Sequence, residues 1–141
     1  MLHEERTDVD GLTSKDLQRE YETLLAEIIA EHGVAAVAEE TGVNENVLAA
    51  LVDGESPAID IEEAAAIQAV DSDLDVETVY VEACEHLLLG MSMAVLDVDT
   101  IAGELSLDLS GKEVQQKLER RAPMSLAEFT ALEHLIASRR Q

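Results

Sequence analysis

Apolar residues recur along the chain at three- and four-residue intervals, in runs divided by Gly, Asn and Asp, which predicts a succession of helices. Ser14 is placed to cap a helix with Leu17, Tyr21, Leu24, Leu25, Ile28 and Ile29 at helical spacing, ending at Gly33. Val34, Val37 and Ala38 open a short second helix that stops at Gly42. Asn44 caps a third, with Val47, Leu48 and Leu51 on one face and Gly54 past its end. A loop through Pro57 then leads to Asp60, the cap of a fourth helix carrying Ile61, Ala64, Ala65 and Ile67.

The stretch DSDLD, residues 71–75, reads as a linker whose last Asp caps a helix with Val76, Val79, Tyr80, Ala83, Leu87 and Leu88. That helix either runs past Gly90 to about Leu96 or kinks at the glycine. Asp97 or Asp99 caps a short helix with Ile101 and Leu105, and another spans about Ser110 to Arg120, with Val114 and Leu118 four apart. The last begins near Ser125, where Glu128 completes a capping box, and buries Leu126, Phe129, Leu132, Leu135 and Ile136. The pattern divides the chain into a mobile acidic tail (1–13), a first helical module (14–70) and a second (76–138), packed as one compact all-α unit.

The two modules repeat one another. Val34, Val37 and Ala38 match Val98, Ile101 and Ala102 at an offset of 64. Leu48 and Pro57 match Val114 and Pro123 at 66, and Ile61 and Ile67 match Leu126 and Leu132 at 65. Small shifts confined to loops are what a diverged duplication leaves.

Composition supports this reading and adds one constraint. Hydrophobic residues make up 47% of the chain and aromatic ones 2%, so the core is built from Ala, Val, Leu and Ile. Only Pro57 and Pro123 interrupt it, which favours helices over a turn-rich β fold. The net charge is −22, with 31 acidic residues against 9 basic ones, and such a surface repels itself at ordinary ionic strength. At 1 M salt the Debye length falls to about 3 Å and the repulsion is screened. The composition resembles that of proteins from salt-accumulating archaea. The charge is also uneven: residues 111–141 hold six basic groups and four acidic ones, a local +2. Arg139 and Arg140 suit a helix C-terminus, where cations oppose the helix dipole, but the cluster Lys112, Lys117, Arg120 and Arg121 calls for another reason.

Candidate chemistry is sparse. Cys84 is alone, so it forms no intrachain disulfide, and it reads as a core thiol beside a surface His86. Asp71, Asp73, Asp75 and Glu82 fall near calcium-loop spacing, but Val76 stands where that loop needs glycine, and helix capping is the simpler reading. There is no phosphate-binding glycine loop, nucleophile elbow or HExxH zinc motif, and Met91, Met93 and Leu96 read as core or subunit contact. The expectation is a non-enzyme without cofactor or metal. No apolar run reaches the roughly 18 residues of a membrane span, and the start lacks a signal-peptide core, so a cytoplasmic protein without membrane contact is expected.

Residues 38–67, AEETGVNENVLAALVDGESPAIDIEEAAAI, resemble the Cro/phage-repressor (XRE-type) helix-turn-helix family. Gly42 stands at the tight turn, Val43, Leu48 and Leu51 at the wedging apolar positions, and Gly54 at the loop that follows. Residues 109–129, LSGKEVQQKLERRAPMSLAEF, resemble the same family's recognition helix and following loop, with Arg120 in the place of Gly54 and a longer preceding turn that lacks glycine. The whole chain also resembles an uncharacterised family of small haloarchaeal proteins, through HLLLGMSMAVLDVDTIAGEL (86–105) and KEVQQKLERRAPMSL (112–126).

The helix-turn-helix resemblance implies a regulator whose second helix enters the major groove of duplex DNA. The first module would present Asn44, Glu45, Asn46, Ala49 and Ala50, with no cation. The second would present Ser110, Lys112, Gln115, Gln116, Lys117, Arg120 and Arg121, which suit base edges and phosphates. Two readings stay open: a transcription regulator working through the second module, and an acidic adaptor that binds protein through the first. The resemblance also implies a homodimer.

Overall fold

The computed structural model describes residues 1–105 and 107–140, so Ser106 in the second module and Gln141 lie outside the account. The described residues form eight helices: α1 (Ser14–His32), α2 (Val34–Thr41), α3 (Glu45–Val52), α4 (Ile61–Val70), α5 (Val76–Ala94), α6 (Val98–Glu104), α7 (Gly111–Leu118) and α8 (Leu126–Arg139). None of them lies in a strand, and the fold is all-α. Each half runs from a 19-residue helix through two short ones to a closing helix.

Local chemistry sets these boundaries. Asn44, Asp60, Asp75, Asp97, Ser110 and Ser125 each accept a backbone N–H from the first turn of their helix. Asp60 with Glu63, Ser110 with Glu113 and Ser125 with Glu128 close reciprocal capping boxes. One detail differs from the sequence reading, and one alternative left open there is decided. Thr13, not Ser14, caps α1, because Asp16 lies three residues on and reciprocates its bond. Helix α5 runs straight through Gly90 to Ala94, because Gly90 serves packing: a Cβ there would lie 2.6 Å from Cγ2 of Ile136 on α8.

The halves share one core. Ile29, Leu48, Leu51, Ile61 and Ile67 from the first join Ile101, Val114, Leu118, Leu126, Phe129 and Leu132 from the second in a single buried cluster. Long helix α1 packs on closing helix α8, and α5 packs on α4, so each half covers the apolar face of the other. Where the closing helices begin, Ile61 N–H donates to Met124 O and Leu126 N–H donates to Ile59 O, both at 2.8 Å. These form an isolated antiparallel bridge at Asp60 and Ser125.

The N-terminal segment is not a free tail. Leu2 and Val9 are buried, and Leu2 N–H donates to Gln68 Oε1 at 3.0 Å. Val9 packs with Leu17 and Ala137 in a small second cluster against Leu12. The segment's acidity suggested solvation, but two apolar anchors suffice to lay it along the seam, with its carboxylates outward.

Candidate nucleic-acid interface

Helix α7 carries most of the residues singled out for DNA contact. Its inward face is spent on Gly111, Val114 and Leu118, all buried. Ser110 caps it, and Lys112, Gln115 and Ser110 are exposed on the opposite side. Lys112 makes no ion pair among the described residues. Gln115 Nε2 donates to Glu119 Oε2 at 3.2 Å, a contact within the exposed face. Gln116 is half-buried.

Lys117 does not belong to that free face. Its Nζ donates to Pro123 O at 2.9 Å and to Glu128 Oε1 at 2.8 Å, and both side chains of the ion pair are only 17% exposed. The lysine thus joins α7 to the N-terminus of α8 through the same carboxylate that completes the α8 capping box. Sequence spacing on α7 put Lys117 on the surface; the loop through Pro123 folds back over it. The signal that could have exposed this was Glu128, a capping residue with an oxygen left over for a cation.

The turn after α7 presents two more cations. Arg121 is 69% exposed and pairs with Glu119 at 3.0 Å. Arg120 is exposed at φ 62°, the left-handed region, and Gly54 at the matching position after α3 has φ 81°. The repeat therefore keeps the backbone turn while exchanging glycine for arginine. Arg120 and Arg121 line one side of a cavity of about 340 Å³, with Asp60, Glu62 and Tyr80 on the other. Lys112 at the start of α7 and Arg120 and Arg121 past its end make a cationic edge on a chain that has no Lys or Arg anywhere between residues 20 and 111.

The corresponding helix of the first half is different. Asn44 caps α3, Glu45 and Asn46 are exposed, Val52 is exposed, and Asp53 and Glu55 follow. Ala49 and Ala50 are half-buried, and no cation is present on this helix.

Two of the other residues considered for chemistry have structural partners. Asp75 accepts from Thr78 N–H as the α5 cap, and Asp71 pairs with His32 at 3.1 Å, with Glu31 alongside. Cys84 is buried, and burial pushes its thiol up to about 11, far from a reactive thiolate. His86 is half-buried rather than on the surface, and its Nδ1 is buried without a hydrogen bond to a described residue. It borders a cavity of about 20 Å³ that Glu133 and Arg6 also line.

Glu133 on α8 is a site that residue spacing did not reveal. It is buried and accepts the Tyr21 hydroxyl of α1 at 2.8 and 3.0 Å, across 112 residues of chain. Burial pushes its carboxyl up to about 7, against the Tyr21 bond and the Arg6 charge, which favour the ionised form. Burial, with the Glu133 charge beside it, also raises the Tyr21 hydroxyl.

Fold and site together define an all-α protein of two packed four-helix halves, with a cationic edge confined to the second. Residues 17–139 match the model of a family of unknown function, DUF5791, and the chain belongs to that family. No curated protein and no solved structure matches it.

Proposed function

We propose that this protein is a transcription regulator that binds duplex DNA through α7 and the turn after it. One observation carries the reading: an N-capped helix spends its apolar face on Val114 and Leu118 and turns Lys112 and Gln115 outward, with Arg120 and Arg121 at its end. A capped helix with polar residues in its first two turns suits insertion into the major groove, and flanking cations suit phosphates. Lys112 and Gln115 are the proposed base-reaching residues, with Ser110 and the half-buried Gln116 at the margin. Arg120 and Arg121 are the proposed phosphate contacts, and Lys117 positions the helix rather than touching DNA. The resemblance to the Cro/phage-repressor family supports the same placement. The two halves are read as tandem helix-turn-helix modules, of which only the second binds DNA. The protein acts by binding and catalyses no reaction.

The acidic surface is read as an adaptation to molar salt, where counterion release contributes little and hydrogen bonds to bases carry more of the affinity. The cytoplasm is the matching compartment. The second reading, a protein-binding adaptor, is favoured by α3, whose exposed Glu45 and Val52 and following Asp53 and Glu55 suit a protein better than a phosphate backbone.

Chromatin immunoprecipitation from cells at native salt separates the two. Sharp, reproducible peaks that disappear with Lys112→Glu and Arg121→Glu support the regulator. Uniform background with stable co-purification of a protein partner supports the adaptor and removes DNA from the account.

A further inference from the structure

Arg120 occupies its turn against the preference of its backbone. It holds a left-handed φ of 62°, where Gly54 makes the matching turn after α3 at φ 81°. The first half thus shows that the turn needs no side chain, and the guanidinium is what Arg120 adds. Strain kept in this way marks places where a side chain is held for a ligand or a partner group.

That guanidinium lines a cavity in which opposite charges face each other without meeting. Arg120 and Arg121 stand on one side of about 340 Å³, with Asp60, Glu62 and Tyr80 on the other. Neither Arg120 nor Glu62 has an ion pair among the described residues. Asp60 spends Oδ1 on the N–H of Glu63 as the α4 cap, and Arg121 is engaged by Glu119. The groups lie within one another's field. Burial raises the Tyr80 hydroxyl, Cys84, Glu62 and Asp60 raise it further, and Arg120 opposes them. Arg120 likewise opposes the rise that burial gives Cys84, one turn on, so its charge reaches over α5.

We infer that this cavity binds a small zwitterion, a free α-amino acid. The carboxylate takes the planar fork of Arg120, which suits two parallel hydrogen bonds. The ammonium lies between Glu62 and the second oxygen of Asp60, and the side chain rests on Tyr80 and Pro123. Charge chooses this class over others. A simple anion would meet Glu62 and Asp60 on a chain of net charge −22, and a simple cation would meet two arginines. A ligand carrying both signs satisfies both walls at no net charge. Volume points the same way, since the cavity is at the small end of the range for ligand sites. The site stands without the DNA reading; where both hold, amino acid and phosphate compete for Arg120.

Nuclear magnetic resonance titration of the isotope-labelled full-length chain with each of the twenty common L-amino acids, in 1 M KCl, tests the site. At least one should bind with a Kd of about 1 mM or tighter and shift the amide signals of Tyr80, Arg120 and Arg121. Arg120→Gly, which restores the residue of the sister turn, and Glu62→Gln should each weaken that amino acid at least tenfold. Helical circular dichroism should be unchanged in both. Asn46→Ala, on α3, should bind it like the wild type. The decarboxylated amine and the deaminated acid with the same side chain should each bind at least tenfold more weakly. No shift with any of the twenty at about 10 mM overturns the inference, and so does binding indifferent to Arg120→Gly and Glu62→Gln. Equal binding of the amine or of the acid alone would make this a cation or an anion site and also overturn it. The titration contains no DNA, so its failure leaves the DNA reading untouched, and a failure to bind DNA leaves this site standing.

Discussion

Asp60 and Ser125 are the N-caps of the two closing helices, and they face each other across an antiparallel bridge. The bonds on either side run from Ile61 to Met124 and from Leu126 to Ile59, positions related by the same 65-residue offset as the caps. Exchanging the halves therefore exchanges the two bonds, a local two-fold relationship within one chain. Packing of α1 on α8 and of α4 on α5 follows the same exchange.

This arrangement makes the halves interdependent. A fragment of residues 1–75 uncovers the face of α1 that meets Phe129 and Glu133, and the face of α4 that meets α5. It should show weak helical circular dichroism and no cooperative melt, whereas the whole chain melts in one transition. A fragment with a sharp melt of its own would show two autonomous domains.

The turn after α7 stores strain. Arg120 holds a left-handed φ where the first half has Gly54, and a non-glycine residue there costs about 1–3 kcal/mol. Arg120→Gly relieves this but adds freedom to the unfolded chain worth about 0.4–1 kcal/mol, so a net rise of a few degrees in Tm is expected. The same change should weaken DNA binding if Arg120 meets phosphate. Calorimetry and binding therefore move in opposite directions, and a lowered Tm would contradict the strain.

Lys117 and Lys112 look alike in sequence and differ in structure. Removing the Lys117 ammonium breaks bonds to Pro123 O and Glu128, so Lys117→Met should cost about 1–2 kcal/mol in chemical denaturation. Lys112→Met should leave stability within about 0.5 kcal/mol, as an exposed residue with no ion pair among the described residues. Equal losses would show that Lys117 is not held as described.

The contrast marks what the sequence could reveal. The eight helices and most of their caps were legible because Asp, Asn and Ser stand just before apolar runs of helical period, and Gly42 and Gly54 punctuate them. Side-chain commitments across long separations were not. Nothing near Tyr21 indicates Glu133, 112 residues away, and nothing on α7 indicates that the Pro123 loop returns over Lys117. The burial of Leu2 and Val9 was hidden for the same reason, since the few apolar residues of the acidic segment have no helical period to read.

Glu133 gives stability a distinctive pH dependence. Its carboxyl titrates at about 7 in the folded chain, against an ordinary 4.5, so the folded state binds more protons between those values. The contribution is fully present below about 4.5 and is lost as pH rises through about 7. The helix-cap carboxylates Asp16, Asp75, Asp97 and Glu113 are held below their usual range by bonds to helix N-termini, and their contribution is lost only at lower pH. Glu133→Gln keeps an acceptor for Tyr21 and should melt above wild type at pH 8, with the gap closing towards pH 4.5. A gap independent of pH would contradict the assignment.

The central claim is that α7 and its following turn bind DNA, and fluorescence anisotropy with labelled duplexes from the organism's own promoters tests it most directly. In 1 M KCl the wild type should bind a subset of fragments, and Lys112→Glu combined with Arg121→Glu should abolish binding at an unchanged Tm. Asn46→Ala on α3 should bind like the wild type. No binding to any fragment from 0.2 to 2 M KCl, or loss of binding through Asn46→Ala but not through the α7 pair, would contradict it.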